Sequence, residues 1–435
     1  MIRLINLLDK AAETVCGALL PALLFISGAV IFISLSGYLL RPRFYRNNFK
    51  NGSLSSLWLA LGGTLGVGNI CGVCAAIYTG GAGCVFWIWV CAFISAATKY
   101  AETVLAVKYR KKRSDGTFRG GAPYYISEGL GMKRTASLFA VLCIVTAFTM
   151  GNATQIRAAS EFNLLSFGMD KWLSAVIFAT ALLSLTLGKG RLIGAFTSHA
   201  VPFLCIGYSL LCAASLFIFR ENIPHLTKAI INEAFTPRAG ACGLTAYLSS
   251  PAVRLGITRG VMSNEAGCGT APFAYAENGQ ADARSCGLLG IVEVLIDTLL
   301  LCTLTAYAVL LPQIPLSESS AISVINAFSA VIGRAAAPFL SVAISLFAVA
   351  SASAWSFYAM RSAEFLGAKK GFHIIFPILY SMTAFFSCFS GEGVLWLVSD
   401  LTVALMAIIN MTAVTLMIGK VRSISADVSR DLPRR

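Results

Sequence analysis

Charge is scarce in this chain. Only 12% of its 435 residues are Asp, Glu, Lys or Arg, against about 25% in an ordinary soluble domain. The scarcity is patterned. No charge falls in 15–40, and none lies between Lys50 and Lys99. Uncharged apolar runs of roughly 18 residues or more are membrane-span candidates. A soluble globular protein, a disordered chain and a disulfide scaffold are thereby excluded. Histidine is scarcer still, with only His199, His225 and His373, scattered along the chain. No His-Glu-x-x-His or similar constellation appears, which argues against an intramembrane enzyme. Acidic residues are outnumbered 20 to 34, for a net charge of +14. On a membrane protein such an excess reflects topology rather than nucleic-acid binding.

What is abundant is apolar: 57% of the chain is hydrophobic. Most of the 13 cysteines sit in apolar runs, where a thiol acts as a small hydrophobe. The pair Cys71-Gly-Val-Cys74 has no second pair or nearby His to complete a metal site. Apolar segments predict helices near 15–40, 54–79, 83–107, 135–157, 172–188, 192–219, 251–277, 286–311, 337–362, 372–390 and 394–419. Lipid requires internally satisfied backbones, so an all-α integral membrane protein is expected. The first span is too long for a signal-peptide core.

An odd span number puts the termini on opposite sides. Lys and Arg then concentrate on one side by more than two to one, in loops 41–50, 108–134 and 189–191, segment 361–370 and the tail. That side is expected to be cytoplasmic, with the C-terminus in and the N-terminus out. The more polar 220–250 segment is expected outside, partly as an interfacial helix. Segment 117–131 is expected along the membrane surface, with Tyr124 and Tyr125 at the headgroups.

The second span contains Gly62-Gly63-Thr64-Leu65-Gly66-Val67-Gly68-Asn69-Ile70-Cys71-Gly72. Each glycine costs a helix roughly 1 kcal/mol against alanine. The seventh span has a counterpart, Gly260-Val261-Met262-Ser263-Asn264-Glu265-Ala266-Gly267. Both carry Asn-x-x-Gly, at Asn69 and Asn264. Matched breaks in two halves point to a transporter site built on inverted repeats. Spans two to six and seven to eleven make two five-helix units, and an odd number per unit inverts the second copy. The expected organisation is 1–50 peripheral helix and basic loop, 51–220 first repeat, 221–250 connector, 251–420 second repeat and 421–435 tail. Unwound backbone offers N–H groups to a carboxylate and carbonyls to a hard cation. A small zwitterion carried with a cation is predicted. Close helix packing is the competing explanation for the glycines.

Intramembrane polar residues are functional candidates by default. Gln155 and Asn152 lie on one face of the fourth span. Glu293 and Asp297, four apart on the eighth, are candidates for ion coupling, proton relay or pairing with Arg259. Glu265 is read as structural, receiving N–H bonds or pairing with Arg259. Ser351 and Trp355 share a face of the ninth span. There a hydroxyl can join freed carbonyls around a cation and an indole can wall a pocket, unless the serines only back-bond to their own helix.

At these residues the chain resembles the alanine or glycine:cation symporter family of the amino acid–polyamine–organocation superfamily, over roughly 21–420. The carrying motifs are Gly63 to Ile70, Ala97-Thr98-Lys99-Tyr100-Ala101-Glu102 onward to Arg110, Arg259-Gly260 with Ser263 to Gly267, and Ile296-Asp297-Thr298. The resemblance implies a leucine-transporter-like 5+5 inverted-repeat bundle with one extra N-terminal helix. It implies import of a small neutral amino acid, alanine or glycine, driven by Na⁺ and sometimes H⁺, in a prokaryotic plasma membrane. It places Gly66, Val67, Gly68, Asn69, Gln155, Asn264, Gly267, Ser351 and Trp355 at the substrate. Gly62, Leu65 and Ser351 are placed at the Na⁺. Four positions depart from the family pattern: Val67, Ala350 and Ala354, where Thr, Ser and Gly are usual, and Met360, where Glu is usual. The lost hydroxyls are expected to weaken Na⁺ coupling, and the Ala354 methyl to narrow the pocket. A proton-coupled or cation-independent carrier is the alternative within this class. A cation channel, the alternative from another class, would want rings of carbonyls or charges from an oligomer.

Overall fold

The computed structural model describes residues 20–39, 54–114, 116–235, 252, 256, 259–260, 263–277, 279, 282–369, 371–390 and 393–426. Residues 1–19, loop 41–50, the second half of the 221–250 connector and the end of the tail lie outside these residues.

Helices dominate. Among the described residues, seven are long and apolar enough to cross a membrane, or eight if one bent pair counts as a span. In chain order they begin with α1 (Leu20–Leu39), α2 (Leu54–Thr64), α3 (Val73–Gly80) and α4 (Cys84–Lys108). Next come α5 (Lys133–Phe148), α6 (Thr154–Phe167), α7 (Lys171–Leu187) and α8 (Lys189–Ile218). α9 (Ile223–Ala234) starts with Pro224 in its first turn, where no N–H bond is lost. The second half holds α10 (Pro272–Ala276), α11 (Ala283–Val294), α12 (Thr303–Leu310) and α13 (Ser320–Ile332). It ends with α14 (Ala336–Phe365), α15 (Phe372–Ser387), α16 (Gly393–Leu416) and α17 (Ile418–Ala426). Local signals set several boundaries. Asp282 caps α11 by accepting from the Ser285 N–H at 2.7 Å, and Gly168 ends α6 in the left-handed region.

Three departures from expectation have physical causes. Residues 312–336 were assigned no helix, yet α13 lies there, capped by Ser319. It buries Val324, Ala327 and Phe328, but at 13 residues it is too short to read as a span by itself. A two-residue hairpin, β1 (Lys111–Lys112) with β2 (Phe118–Arg119), interrupts the helical pattern. Segment 117–131 is not a headgroup belt. Tyr124 and Tyr125 are both buried, and the Tyr125 hydroxyl donates to Asn410. A tyrosine with a buried partner gains more from the bundle than from the interface.

Small residues set the packing. A Cβ on Gly287 would lie 2.6 Å from the Tyr100 ring, and one on Gly290 would lie 2.9 Å from Lys99 Cγ. α11 and α4 therefore approach at backbone distance, as small residues allow in membranes. The outer faces carry exposed Phe203, Phe217, Ile374 and Leu416, the surface that lipid covers.

Candidate binding site at two helix breaks

The second span bends by 54° between Leu54–Thr64 and Gly68–Gly80. Past the bend, Gly68–Gly72 forms a wide π turn. Such turns often mark functional sites. The freed N–H groups are met by amide oxygens. Gly66 N–H donates to Asn69 Oδ1 at 3.2 Å, and Val67 N–H donates to Gln155 Oε1 at 2.9 Å. Two adjacent N–H groups aimed at side-chain oxygens form a ready place for an acceptor. The carbonyl side is used as well: Ser351 Oγ donates to Gly63 O at 3.1 Å. The neighbouring serines do what was set against a site role. Ser353 back-bonds to Ala350 O and Ser356 to Ser353 O, so Ser351 alone of the three crosses to the break.

The second break runs from Glu265 to Ala271. Glu265 has φ of 53° without being glycine, a strained state that is uncommon outside Gly, Asn and Asp. Gly267 and Gly269 follow at 87° and 74°, where glycine is needed. This backbone is tied off internally. Gly267 N–H donates to Glu102 Oε2 at 3.3 Å, and Asn410 Nδ2 donates to Gly267 O at 2.9 Å. Asn264 folds back on Ala266 N–H, Gly260 O and Thr298. The structure thus occupies Asn264 and Gly267, both expected at the substrate, with partners within the protein.

Asp297 joins the two breaks. Its Oδ1 accepts from Asn69 Nδ2 at 2.7 Å, and its Oδ2 accepts from Ser263 Oγ at 2.7 Å and Thr298 Oγ1 at 2.8 Å. Asp297 sits on another π segment, Leu295–Cys302, and is fully buried. Glu293 shares its face but does different work. It pairs with Lys99 at 3.2 Å and accepts from the Tyr275 hydroxyl at 2.9 Å. Neither carboxylate meets Arg259 in these contacts; Arg259 instead acts electrostatically on Asp400. Glu265 likewise accepts from Trp355 Nε1 at 3.0 Å and from Thr270, not from Arg259.

A small cavity opens at the first break. Leu65, Gly66, Asn69 and Ile70 line it with Tyr208, Leu301 and Phe347. Three expected residues stand elsewhere. Trp355 covers Gly151, where a Cβ would meet its ring at 2.3 Å. Gly68 is exposed with open space beside it. Asn152 donates to Tyr380 O at 2.7 Å. The Gly62 position packs against Thr197, while Ala350 and Ala354 are fully buried. Tyr208 and Phe347 carried no sequence signal, being aromatics within apolar runs. Lys99 and Glu102 carried a visible one, as charges inside a span.

Residues 6–432 match the sodium:alanine symporter family. The chain belongs to that family. An uncharacterized transporter of Haemophilus influenzae is 31% identical, covering 90% of each chain. The sodium/alanine symporter AgcS of Methanococcus maripaludis is 31% identical over 85% of this chain and 82% of its own. A probable sodium/glutamine symporter, GlnT of Bacillus subtilis, is 29% identical over 86% of this chain and 77% of its own. Membership makes the protein a multi-pass membrane transporter, and it places both breaks within one matched domain.

Gly66 tests the first break. A methyl there would lie 2.6 Å from Gln155 Oε1. That flexible amide can move aside, so Gly66→Ala should cost stability no more than about 1 kcal/mol. It should nevertheless break the Val67–Gln155 bond and lower amino-acid uptake at least tenfold. Gly68→Ala, which meets nothing, should stay within about twofold of wild type. Uptake rates beside melting temperatures of the purified variants decide this.

Proposed function

We propose that the protein is a secondary active symporter importing alanine, glycine or both with a cation, most readily Na⁺, by alternating access. The observation carrying this reading is the Val67 N–H held by Gln155 beside the Gly66–Asn69 cavity, with Asn69 bound onward to Asp297. A substrate carboxylate replaces the amide oxygens at Gly66 and Val67. Gln155, released, is free to bond the substrate. Ser351 and the carbonyls near Gly62, Gly63 and Leu65 supply oxygens to Na⁺. The lipid-facing orientation follows the basic loops: C-terminus cytoplasmic, in a prokaryotic plasma membrane.

Binding then couples to motion through one joint. Asn69 belongs to the first break and Ser263 lies in the turn just before the second, and both bond Asp297. A ligand that reorganises Asn69 changes the hold on the second break. Differential contacts of this kind are what shift a two-state equilibrium.

Proton coupling is the second reading. Glu102, Glu265 and Glu293 are all buried near the ammonium of Lys99. Three buried carboxylates around one ammonium are the groups that would carry a transported proton. Labelled alanine uptake into proteoliposomes separates the readings. An inward Na⁺ gradient should drive accumulation and an equal K⁺ gradient should not. Equal uptake in both, abolished by collapsing a pH gradient, would favour the proton.

A further inference from the structure

The ninth span carries a stripe that touches both breaks. Ser351 reaches Gly63 O in the first, and Trp355, one turn on, reaches Glu265 in the second. The next residue on that face is Tyr358. Its side chain is fully buried, and its hydroxyl has no hydrogen-bond partner among the described residues. The hydroxyl lies against the first break, where a Cβ on Gly63 would be 2.5 Å from it. The carboxylates of Glu265 and Glu293 act on it electrostatically. The ring is fixed by stacking on Phe273 at 6.1 Å between centroids and by an edge contact with Trp355 at 5.7 Å.

A buried hydroxyl without a partner costs free energy that phenylalanine in the same place would avoid. Tyrosine here is therefore unexplained by packing. We propose that the Tyr358 hydroxyl is a ligand for the transported cation, as it passes between the Gly63 carbonyl with Ser351 and the Glu265 carboxylate. The proposal rests on the reading of Gly63 and Ser351 as a cation site. The chemistry fits a small dehydrated monovalent cation. A phenolic oxygen offers it lone pairs, the residue it packs on carries the carbonyl that Ser351 bonds, and carboxylates lie further on. The absence of a side chain at Gly63 is what lets the hydroxyl lie against that backbone. Tyr358 also sits toward the end of α14 that continues to Arg361 and Lys369. The basic-loop count assigns that end to the cytoplasm, so the hydroxyl lies on the release side of Ser351.

Tyr358→Phe keeps the ring and removes only the hydroxyl. The expected result is a melting temperature equal to or above wild type in choline chloride. In the same variant, the Na⁺ concentration giving half-maximal stabilisation should rise at least fivefold when NaCl replaces choline chloride at constant ionic strength. Half-maximal Na⁺ for alanine uptake should rise in parallel, with the alanine KM at saturating Na⁺ little changed. Unchanged Na⁺ dependence in Tyr358→Phe would overturn the proposal. Ser351→Ala, run beside it, separates the two levels. A shift in Ser351→Ala alone refutes the role of Tyr358 and keeps the cation site. No shift in either variant refutes both.

Discussion

Asp297→Asn should lower cation-coupled uptake about a hundredfold while leaving the protein folded. The size follows from the contacts. Asp297 accepts three hydrogen bonds, from Asn69, Ser263 and Thr298. Hydrogen bonds to a charged group contribute about 1.5–3 kcal/mol each. An asparagine keeps one oxygen and places an amide N–H₂ where the carboxylate had its second acceptor. At least one of the Ser263, Thr298 and Asn69 bonds is then lost or reversed. A loss near 2.7 kcal/mol corresponds to about two powers of ten. If this loss falls on the state that binds cation and substrate together, uptake falls by that factor. Folding should survive, because the hydroxyls of Ser263 and Thr298 can rotate to accept from the new amide. Asp297→Glu keeps the charge but lengthens the arm, and should recover part of the uptake. Rates for the three proteins, at matched amounts in the membrane, check the order. Wild-type uptake in Asp297→Asn would show that the joint between the breaks plays no part in coupling.

The breaks were legible because glycine and polar residues violate the rules of an apolar helix. Five glycines around Asn69 announce unwinding, and Ser263 to Gly267 repeats the pattern. What the sequence could not display is partnership between distant spans. Lys99 and Glu293 lie 194 positions apart, and nothing in either span names the other. Glu293 and Asp297 look equivalent at a spacing of four, yet one meets an ammonium and the other meets hydroxyls and an amide. The difference lies in which helix faces each turn. Three serines near Trp355 look alike too. Only the tertiary approach of Gly63 selects Ser351. The sequence offers the Trp355 ring as a wall for a pocket but cannot show where its indole N–H goes. That N–H donates to a buried acceptor, Glu265, as a buried donor must. Tyr124 and Tyr125 went the other way. Their amphipathic rings suit an interface, but Tyr125 finds a buried partner in Asn410 and Tyr124 packs its edge on Phe365.

Lys99→Met should be the most destabilising single change in the protein, and a second change should reverse much of it. Lys99 is fully buried. Its ammonium lies 3.2 Å from Glu293 and 3.9 Å from Glu102, and it also acts on Glu265. These carboxylates come from three places: its own helix, the second break and α11. Removing one partner of a buried ion pair costs about 3–5 kcal/mol, because the remaining charge has no counterion. Lys99→Met leaves Glu102, Glu265 and Glu293 facing one another, so the upper part of that range is expected. Packing is not the cause, since methionine follows the lysine stem past Gly290 at similar volume. Lys99→Met with Glu293→Gln removes the nearest of the three uncompensated carboxylates and keeps an acceptor for the Tyr275 hydroxyl. It should regain more than half of the lost stability. A well-packed neutral pair can equal a buried ion pair, so near-complete recovery is physically allowed. Transport need not return with it. Glu102 holds Gly267 N–H and Asn410, and the Lys99 ammonium lies 3.9 Å from that carboxylate. A double variant that melts like wild type but no longer transports would assign Lys99 to shaping the second break. One that also transports would confine Lys99 to stability. Melting temperatures and uptake for the two single variants and the double variant form one cycle, and the coupling between Lys99 and Glu293 is read directly from it.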